Sequence, residues 1–317
     1  MKNIAVGDTA IIHYQLSIIN SIKDLIMDQQ TIFALGFFDG VHLGHQALLK
    51  ACRELAEQHH CRAGVVTFTA HPDALVLGKA PALLTTSEDR KRLLQAYGAE
   101  EIWELPFDEA MRTMPWRDFI RMLRSNTTAG FVSGADFRFG YKGKGTAAIL
   151  ESYCKAAGLP CTIVPEQVMD GERISSTRIR RLLETGAVEN ANRLLGHPHI
   201  LSGVVTKGKQ LGRQLGFPTA NLALPEGLIV PKSGVYATKV SVEGKEYPAV
   251  TNIGTRPTVN GAGVNAECHL LDFAGDLYGK EITVAFYDFL RPEQKFDSLD
   301  ALKAQIANDA AQVRKML

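Results

Sequence analysis

The sequence predicts an α/β domain built on a parallel sheet, followed by a small antiparallel β-barrel domain with a C-terminal helix. Three observations carry that expectation. Between Thr31 and Gly186, short apolar runs alternate with helical patterns, as in a Rossmann-like sheet covered on both faces. Beyond Gly196 strand-like runs follow one another, the pattern of a small barrel. The 317 residues are enough for two domains, placed at 1–196 and 197–317.

In chain order, residues 1–31 give mixed signals, with the apolar pairs Ile11-Ile12 and Ile18-Ile19 left unassigned. Ile32–Gly36 reads as a strand, Gly44–Gln58 as a helix and Ala63–Thr69 as a second strand. Ser87–Tyr97 reads as a helix with Ser87 as its N-cap, Glu88 and Asp89 in its first turn and Gly98 at its end. Ile102–Leu105 is a short strand, Trp116–Arg124 a helix and Ala129–Ser133 a strand. Thr146–Ala157 is a helix ended by Gly158, Thr162–Val164 a strand, and Ser176–Glu184 a helix closed by Gly186. In the second region Ile200–Thr206, Val235–Val242, Tyr247–Asn252, Ala266–Phe273 and Ile282–Leu290 read as strands. Val242-Glu243-Gly244-Lys245 reads as a hairpin turn, and only the tail from about Ser298 is helical.

Composition narrows the function classes. Hydrophobic residues make up 45% and charged residues 22%, which describes a globular chain. A net charge of +1 gives no case for nucleic acid or an acidic membrane as partner. Cys52, Cys61, Cys154, Cys161 and Cys268 form no C-x-x-C pair and are odd in number, so they read as reduced thiols of a cytoplasmic protein. The opening MKNIAVGDTA lacks the apolar region of a signal peptide, and no apolar run approaches the ~20 residues of a membrane span. The expected partners are small molecules, with the chain a monomer or weak homo-oligomer.

The chemistry concentrates where strands end. Gly36-Phe37-Phe38-Asp39-Gly40-Val41-His42-Leu43-Gly44-His45 joins the first strand to the first helix. A helix N-terminus attracts phosphate through its unpaired N–H groups and positive dipole, and glycines let the backbone approach a ligand. His42 and His45, three apart, can aim two imidazoles at one anion. Ligands of parallel sheets bind at the carboxyl ends of strands, and three further stretches fall there. These are His71-Pro72, then Gly134-Ala135-Asp136-Phe137-Arg138-Phe139-Gly140, then Ser176-Thr177-Arg178. Ser176 and Thr177 suit a helix start, and Arg178 suits a triphosphate.

In the second region Gly203 to Gln210 nearly matches a phosphate-binding Walker loop. Gln210 stands where its metal-binding hydroxyl belongs and no helix follows, so that assignment fails. Gly208, Gly212 and Gly216 still permit a loop that folds over phosphates, and Pro218-Thr219-Ala220-Asn221 offers a hydroxyl and an amide oxygen, hard ligands suited to Mg2+.

The G-x-F-D-G-x-H-x-G-H turn resembles the signature of nucleotidyltransferases that attack the α-phosphate of a nucleoside triphosphate. With the three later stretches, the first region resembles the flavin-adenylylating domain of bacterial bifunctional riboflavin kinase/FAD synthetases. That resemblance implies ATP bound by Gly36, Phe38, Asp39, Gly40, His42, Gly44 and His45, and by Ser176, Thr177 and Arg178. It implies a flavin near His71 and near Asp136, Phe137, Arg138 and Phe139, with Mg2+ assisting in-line attack by the FMN phosphate.

Gly203 to Asn221, with its G-F-P-T-A-N core, resembles the ATP-binding segment of riboflavin kinases, where Thr219 and Asn221 would hold Mg2+. Asn265 to Phe273 resembles the strand carrying the family's base, which implies Glu267 for that role. Asn252 to Thr258 is a third similar stretch, adding Asn252 and Arg256 to the flavin site. Departures from the family pattern are Phe37, Thr69-Ala70, Lys207 and Cys268. The reading implied is FMN synthesis from riboflavin in the second domain and FAD synthesis from FMN in the first. A kinase with an inactive first domain and a flavin-binding regulator are its alternatives.

Overall fold

The computed structural model describes residues 30–125, 127–207, 216–258 and 261–317, and the backbone alone over 255–258 and 261–264. Ile11-Ile12, Ile18-Ile19, Gly208 and Gly212 lie outside the described residues, as does the Arg256 side chain. Contacts divide the chain into two compact units. Met1–Phe37, His45–Ala80 and Lys91–Glu166 form one, and Phe38–Gly44, Pro81–Arg90 and Gln167–Leu317 the other.

The first unit is built on a parallel sheet. Its strands are β1 (Thr31–Leu35), β2 (Arg62–Phe68), β3 (Glu101–Leu105) and β4 (Thr128–Gly134), then, after the two-residue strands β5 (Arg138–Phe139) and β6 (Gly145–Thr146), β7 (Cys161–Val164). Five of these form the sheet in the order β3-β2-β1-β4-β7, with every pairing parallel. All five residues of β1 are buried, which explains why the central strand reads as a continuous apolar run. Phe33, Leu35, Phe131, Leu150 and Cys154 meet in this unit's core. The helix Ala147–Ala157 is closed at both ends by local chemistry. Thr146 Oγ1 accepts from Ile149 N at 3.2 Å, and Gly158 takes the left-handed conformation at φ 67°. The helix Ser87–Ala96 begins one position differently from the sequence expectation. Thr86, not Ser87, caps it, accepting from Asp89 N at 3.0 Å and donating to Asp89 Oδ2 at 2.8 Å.

The second unit holds the hairpin β8 (Val168–Met169) and β9 (Glu172–Arg173), the helices Ser176–Thr185 and Val188–Leu195, and a closed barrel. The barrel strands are β10 (His199–Thr206), β11 (Ala220–Ala223), β12 (Gly234–Val242), β13 (Lys245–Thr258), β14 (Gly261–Leu270) and β15 (Glu281–Arg291). They close in the order β10-β11-β14-β13-β12-β15, all antiparallel. The expected hairpin joins β12 to β13. Val242 pairs with Lys245, and Glu243 (φ 49°) and Gly244 (φ 80°) both take positive φ, as the tightest turn between twisted strands requires. The C-terminal helix Leu299–Met316 starts from Ser298, whose hydroxyl accepts from Ala301 N at 3.1 Å. β11, the helix Val188–Leu195 and the extensions of β13 and β14 are absent from the sequence reading.

Candidate functional site

The turn after β1 is strained. Gly36 N still donates to Val66 O at 3.2 Å, so the turn begins at the carboxyl edge of the sheet. Phe38 (φ 61°), Gly40 (φ 77°) and Val41 (φ 41°) all take left-handed conformations, and a β-branched residue there is strained. Three features hold it. The Asp39 carboxylate, buried, accepts from Leu84 N at 2.9 Å and Thr85 N at 3.3 Å and pairs with Arg180 at 2.5 Å. Ser176 Oγ donates to Asp39 O at 3.1 Å, and His197 Nε2 lies 3.0 Å from Gly40 O. Burial pushes the Asp39 carboxyl upward in pKa, opposed by Arg180 and the two backbone N–H groups. Asp39 therefore holds the turn from within, its carboxylate engaged by Leu84, Thr85 and Arg180.

The glycines of this turn make room. A Cβ on Gly40 would lie 2.6 Å from Leu84 Cδ1, and one on Gly44 would lie 3.0 Å from His42 Cε1. The His42 ring, 6% exposed, thus rests against the Gly44 backbone, just ahead of the helix Leu43–Gln58 that carries His45 in its first turn. At the helix Ser176–Thr185 the cap is Ser175, whose hydroxyl accepts from Arg178 N at 3.3 Å, so Ser176 and Thr177 occupy the first turn. The Arg178 guanidinium donates to Met169 O at 2.9 Å and Glu172 O at 3.1 Å and pairs with the Glu172 carboxylate at 3.2 Å, all on the β8–β9 hairpin.

The first unit also contains an aromatic cavity of about 220 Å³, with Phe68, Phe107, Phe119, Phe137 and Phe139 in its wall and Arg112, Arg138 and Lys142 at it. Phe137 and Phe139 are stacked with centroids 5.5 Å apart. Of the flavin residues expected here, Phe137, Arg138 and Phe139 line the cavity. His71 and Asp136 do not. The His71 ring packs edge-on to Phe37 at 4.7 Å, and its Nδ1 accepts from Asp73 N at 3.2 Å.

Two cavities of the barrel are bordered by described residues. One, of about 380 Å³, is bordered by Thr219, Asn252, Glu267, His269 and the Arg291–Asp309 ion pair. That pair closes at 2.8 Å and ties the end of β15 to the C-terminal helix. The other, of about 650 Å³, is bordered by Val205, Pro218, Thr219 and the segment from Leu270 to Tyr278. Thr219 borders both. Antiparallel pairing sets Asn221 opposite Glu267, and Asn252 opposite Glu267 on the other side. Cys268 points the other way into the core, where burial pushes its thiol up to about 12, so it stays a protonated packing group. The sequence reading misses Arg180, His197, Asn265, the Leu270–Tyr278 segment and the Arg291–Asp309 pair. Arg180 and His197 act through partners far along the chain, whereas Asn265 lies inside the stretch read for Glu267 and shows its role only through its side-chain contacts.

The FAD synthetase family profile matches residues 25–178, and the riboflavin kinase profile matches residues 195–317. A bifunctional riboflavin kinase/FMN adenylyltransferase of Listeria monocytogenes is 35% identical, over 90% of this chain and 92% of that protein. The chain belongs to the bifunctional riboflavin kinase/FMN adenylyltransferase family. Members of the same name from Bacillus subtilis and Escherichia coli are 38% and 40% identical, each over 90% of this chain and 92% of their own. A crystal structure from Streptococcus pneumoniae, named as a macrolide-efflux protein, shares the fold at TM-score 0.82 and 32% identity, covering 90% of this chain and 94% of that one. Among the described residues of this family member, no helix is long and apolar enough to cross a membrane.

Proposed function

We propose that the chain performs both reactions of its family from ATP. Residues 197–317 phosphorylate riboflavin to FMN, and residues 1–196 adenylylate FMN to FAD with release of pyrophosphate. The observation that carries the kinase assignment is Thr219, which borders both barrel cavities. A residue in that position reaches the phosphate end of a nucleotide in one cavity and the ribityl end of a flavin in the other. ATP takes the cavity beside Pro218 and the Leu270–Tyr278 segment, and we assign Gly208, Gly212 and Gly216 to its phosphates from the family resemblance. Riboflavin takes the cavity with Asn252 and Glu267, and we assign Arg256 to the same substrate from the family resemblance. Glu267 accepts the proton of the ribityl primary hydroxyl as its oxygen attacks the γ-phosphorus; the bond to the β-phosphate oxygen breaks and ADP leaves.

Mg2+ fits this site by the chemistry of its donors. No cluster of three or more His, Cys, Asp or Glu side chains that could hold a metal occurs among the described residues. The Thr219 hydroxyl and the Asn221 amide oxygen are hard neutral ligands of the kind Mg2+ accepts alongside phosphate oxygens. When bound, the ion would offset phosphate charge.

In the first half, the aromatic cavity suits the isoalloxazine ring, and Arg112, Arg138 and Lys142 suit the FMN phosphate. We assign the Gly36–His45 turn and Ser176, Thr177 and Arg178 to ATP. An FMN phosphate oxygen attacks the α-phosphorus, the bond to the β-phosphate oxygen breaks, and no enzyme-bound intermediate forms. His42, His45 and Arg178 offset the developing charge. Five unpaired thiols support a reducing, cytoplasmic setting, and size-exclusion chromatography at varied concentration tests the expected monomer or weak homo-oligomer. The functional test is chromatography of products from riboflavin and Mg2+-ATP over time. FMN rising before FAD is the expected course. Riboflavin left unconsumed, or supplied FMN never converted, would overturn the reading.

A further inference from the structure

Asn265 and Glu267 lie two residues apart on β14, so their side chains leave the barrel wall on the same face. Asn265 Nδ2 donates to Glu267 Oε1 at 2.8 Å and faces Asn221 Oδ1 at 3.4 Å, across the β11–β14 pairing. The chemistry of the partners fixes which way this amide points. A carboxylate only accepts, so the atom facing it is the NH2 group, whose second N–H is then free for the Asn221 carbonyl. One side chain therefore joins the residue assigned as base to a residue assigned to the metal.

Resting on the assignment of Glu267 as base, we propose that Asn265 is a positioning residue of the riboflavin kinase reaction. Its amide anchors one oxygen of the Glu267 carboxylate and so sets where that carboxylate meets the ribityl hydroxyl. A glutamate on a strand has three soft torsions, and proton removal needs its oxygen in one place relative to the hydroxyl. A charge-assisted hydrogen bond removes that freedom without adding a charge. Misplacing a reacting group by about 1 Å can cost on the order of 10²-fold in rate. Asn265 takes no part in proton transfer, because an amide does not titrate in this range.

The test compares variants of the full chain in both reactions. Asn265→Leu removes the donor, and the isosteric Asn265→Asp replaces it with an acceptor. Both should lower kcat for riboflavin phosphorylation by about 10- to 100-fold, with the KM for riboflavin and for ATP near wild type and FAD formation from FMN unaffected. Asn265→Gln keeps the donor and should recover most of the loss. In the double variant Asn265→Leu/Glu267→Gln, the further slowing of riboflavin phosphorylation should be much smaller than the loss Asn265→Leu causes in wild type, because the carboxylate it positions is already gone. Wild-type kcat in Asn265→Asp, or losses that multiply in the double variant, would overturn the positioning role and leave the base assignment standing. Wild-type turnover in Glu267→Gln would overturn the base assignment and this proposal with it.

Discussion

Replacing Gly40 with alanine asks whether the geometry of the strained turn, beyond its histidines, binds the triphosphate. Gly40 sits at φ 77°, where a residue with a Cβ costs about 1–2 kcal/mol. The new methyl would meet Leu84 Cδ1 at 2.6 Å and Leu84 Cβ at 3.0 Å, an overlap of the kind that costs about 1–3 kcal/mol in a packed interior. Leu84 N also donates to Asp39 at 2.9 Å, so the methyl presses on a residue that anchors the turn. The turn relieves this strain by moving, which takes His42 away from the nucleotide. At the low end, ~2 kcal/mol of lost transition-state binding is about 30-fold in kcat/KM. The assay follows FAD from FMN and Mg2+-ATP, with riboflavin phosphorylation by the same sample as the control for folding. Adding Leu84→Ala removes the closest overlap, that with Cδ1, but neither the contact with Cβ nor the φ strain, so it should restore part of the rate. FAD formation at the wild-type rate in Gly40→Ala would refute the reasoning.

Three further outcomes follow from buried groups. Arg180→Leu strands the Asp39 carboxylate, 2% exposed, and should lower stability by about 3–5 kcal/mol in urea denaturation; Asp39→Asn in the same background should recover much of it, and purely additive losses would count against the pair. His199 is buried beside Phe286, and its pKa falls to about 3, first through burial and then through His197. A folded pKa below the unfolded value of about 6.5 means stability is full above that pH and is lost toward about 3, so wild type should lose about 2 kcal/mol more than His199→Phe between about pH 7 and pH 5. Parallel urea midpoints for the two proteins across that range would contradict it. Arg291→Met frees the C-terminal helix from the riboflavin cavity and should raise the KM for riboflavin more than that for ATP; equal changes would argue against Arg291–Asp309 as a wall of the flavin cavity alone.

Local chemistry made much of the fold legible. Gly158, Gly186, Ser298 and the Glu243-Gly244 turn act within a few residues of themselves, so the sequence carries their signals. The apolar run Ile32–Leu35 of β1 announces a central parallel strand by its composition. β11 is only Ala220–Ala223, too short for alternation to stand out, and it sits inside a motif read for its ligands. β13 and β14 extend through Pro257 and Gly261, residues that read as strand ends, because pairing with each other overrides local preference. The sites divide in the same way. His42, Arg178, Thr219 and Glu267 stand in recognisable patterns. Asp39 reads as a phosphate neighbour by its motif alone; the fold adds Leu84, Thr85 and Arg180, the last 141 positions away. Asn265 stands in the stretch read for Glu267, but its own role shows only in its contacts with Glu267 and, across the barrel wall, Asn221.

The central claim is that each half carries one reaction at its own residues. Its most direct measurement gives two variants, Glu267→Gln and His42→Ala/His45→Ala, riboflavin and FMN in turn with Mg2+-ATP, and separates the products. The account predicts that Glu267→Gln makes FMN from riboflavin at only a small residual rate yet makes FAD from FMN at the wild-type rate, and that the histidine variant accumulates FMN and makes no FAD. Loss of both products in either variant, or FAD made freely without the two histidines, would contradict it.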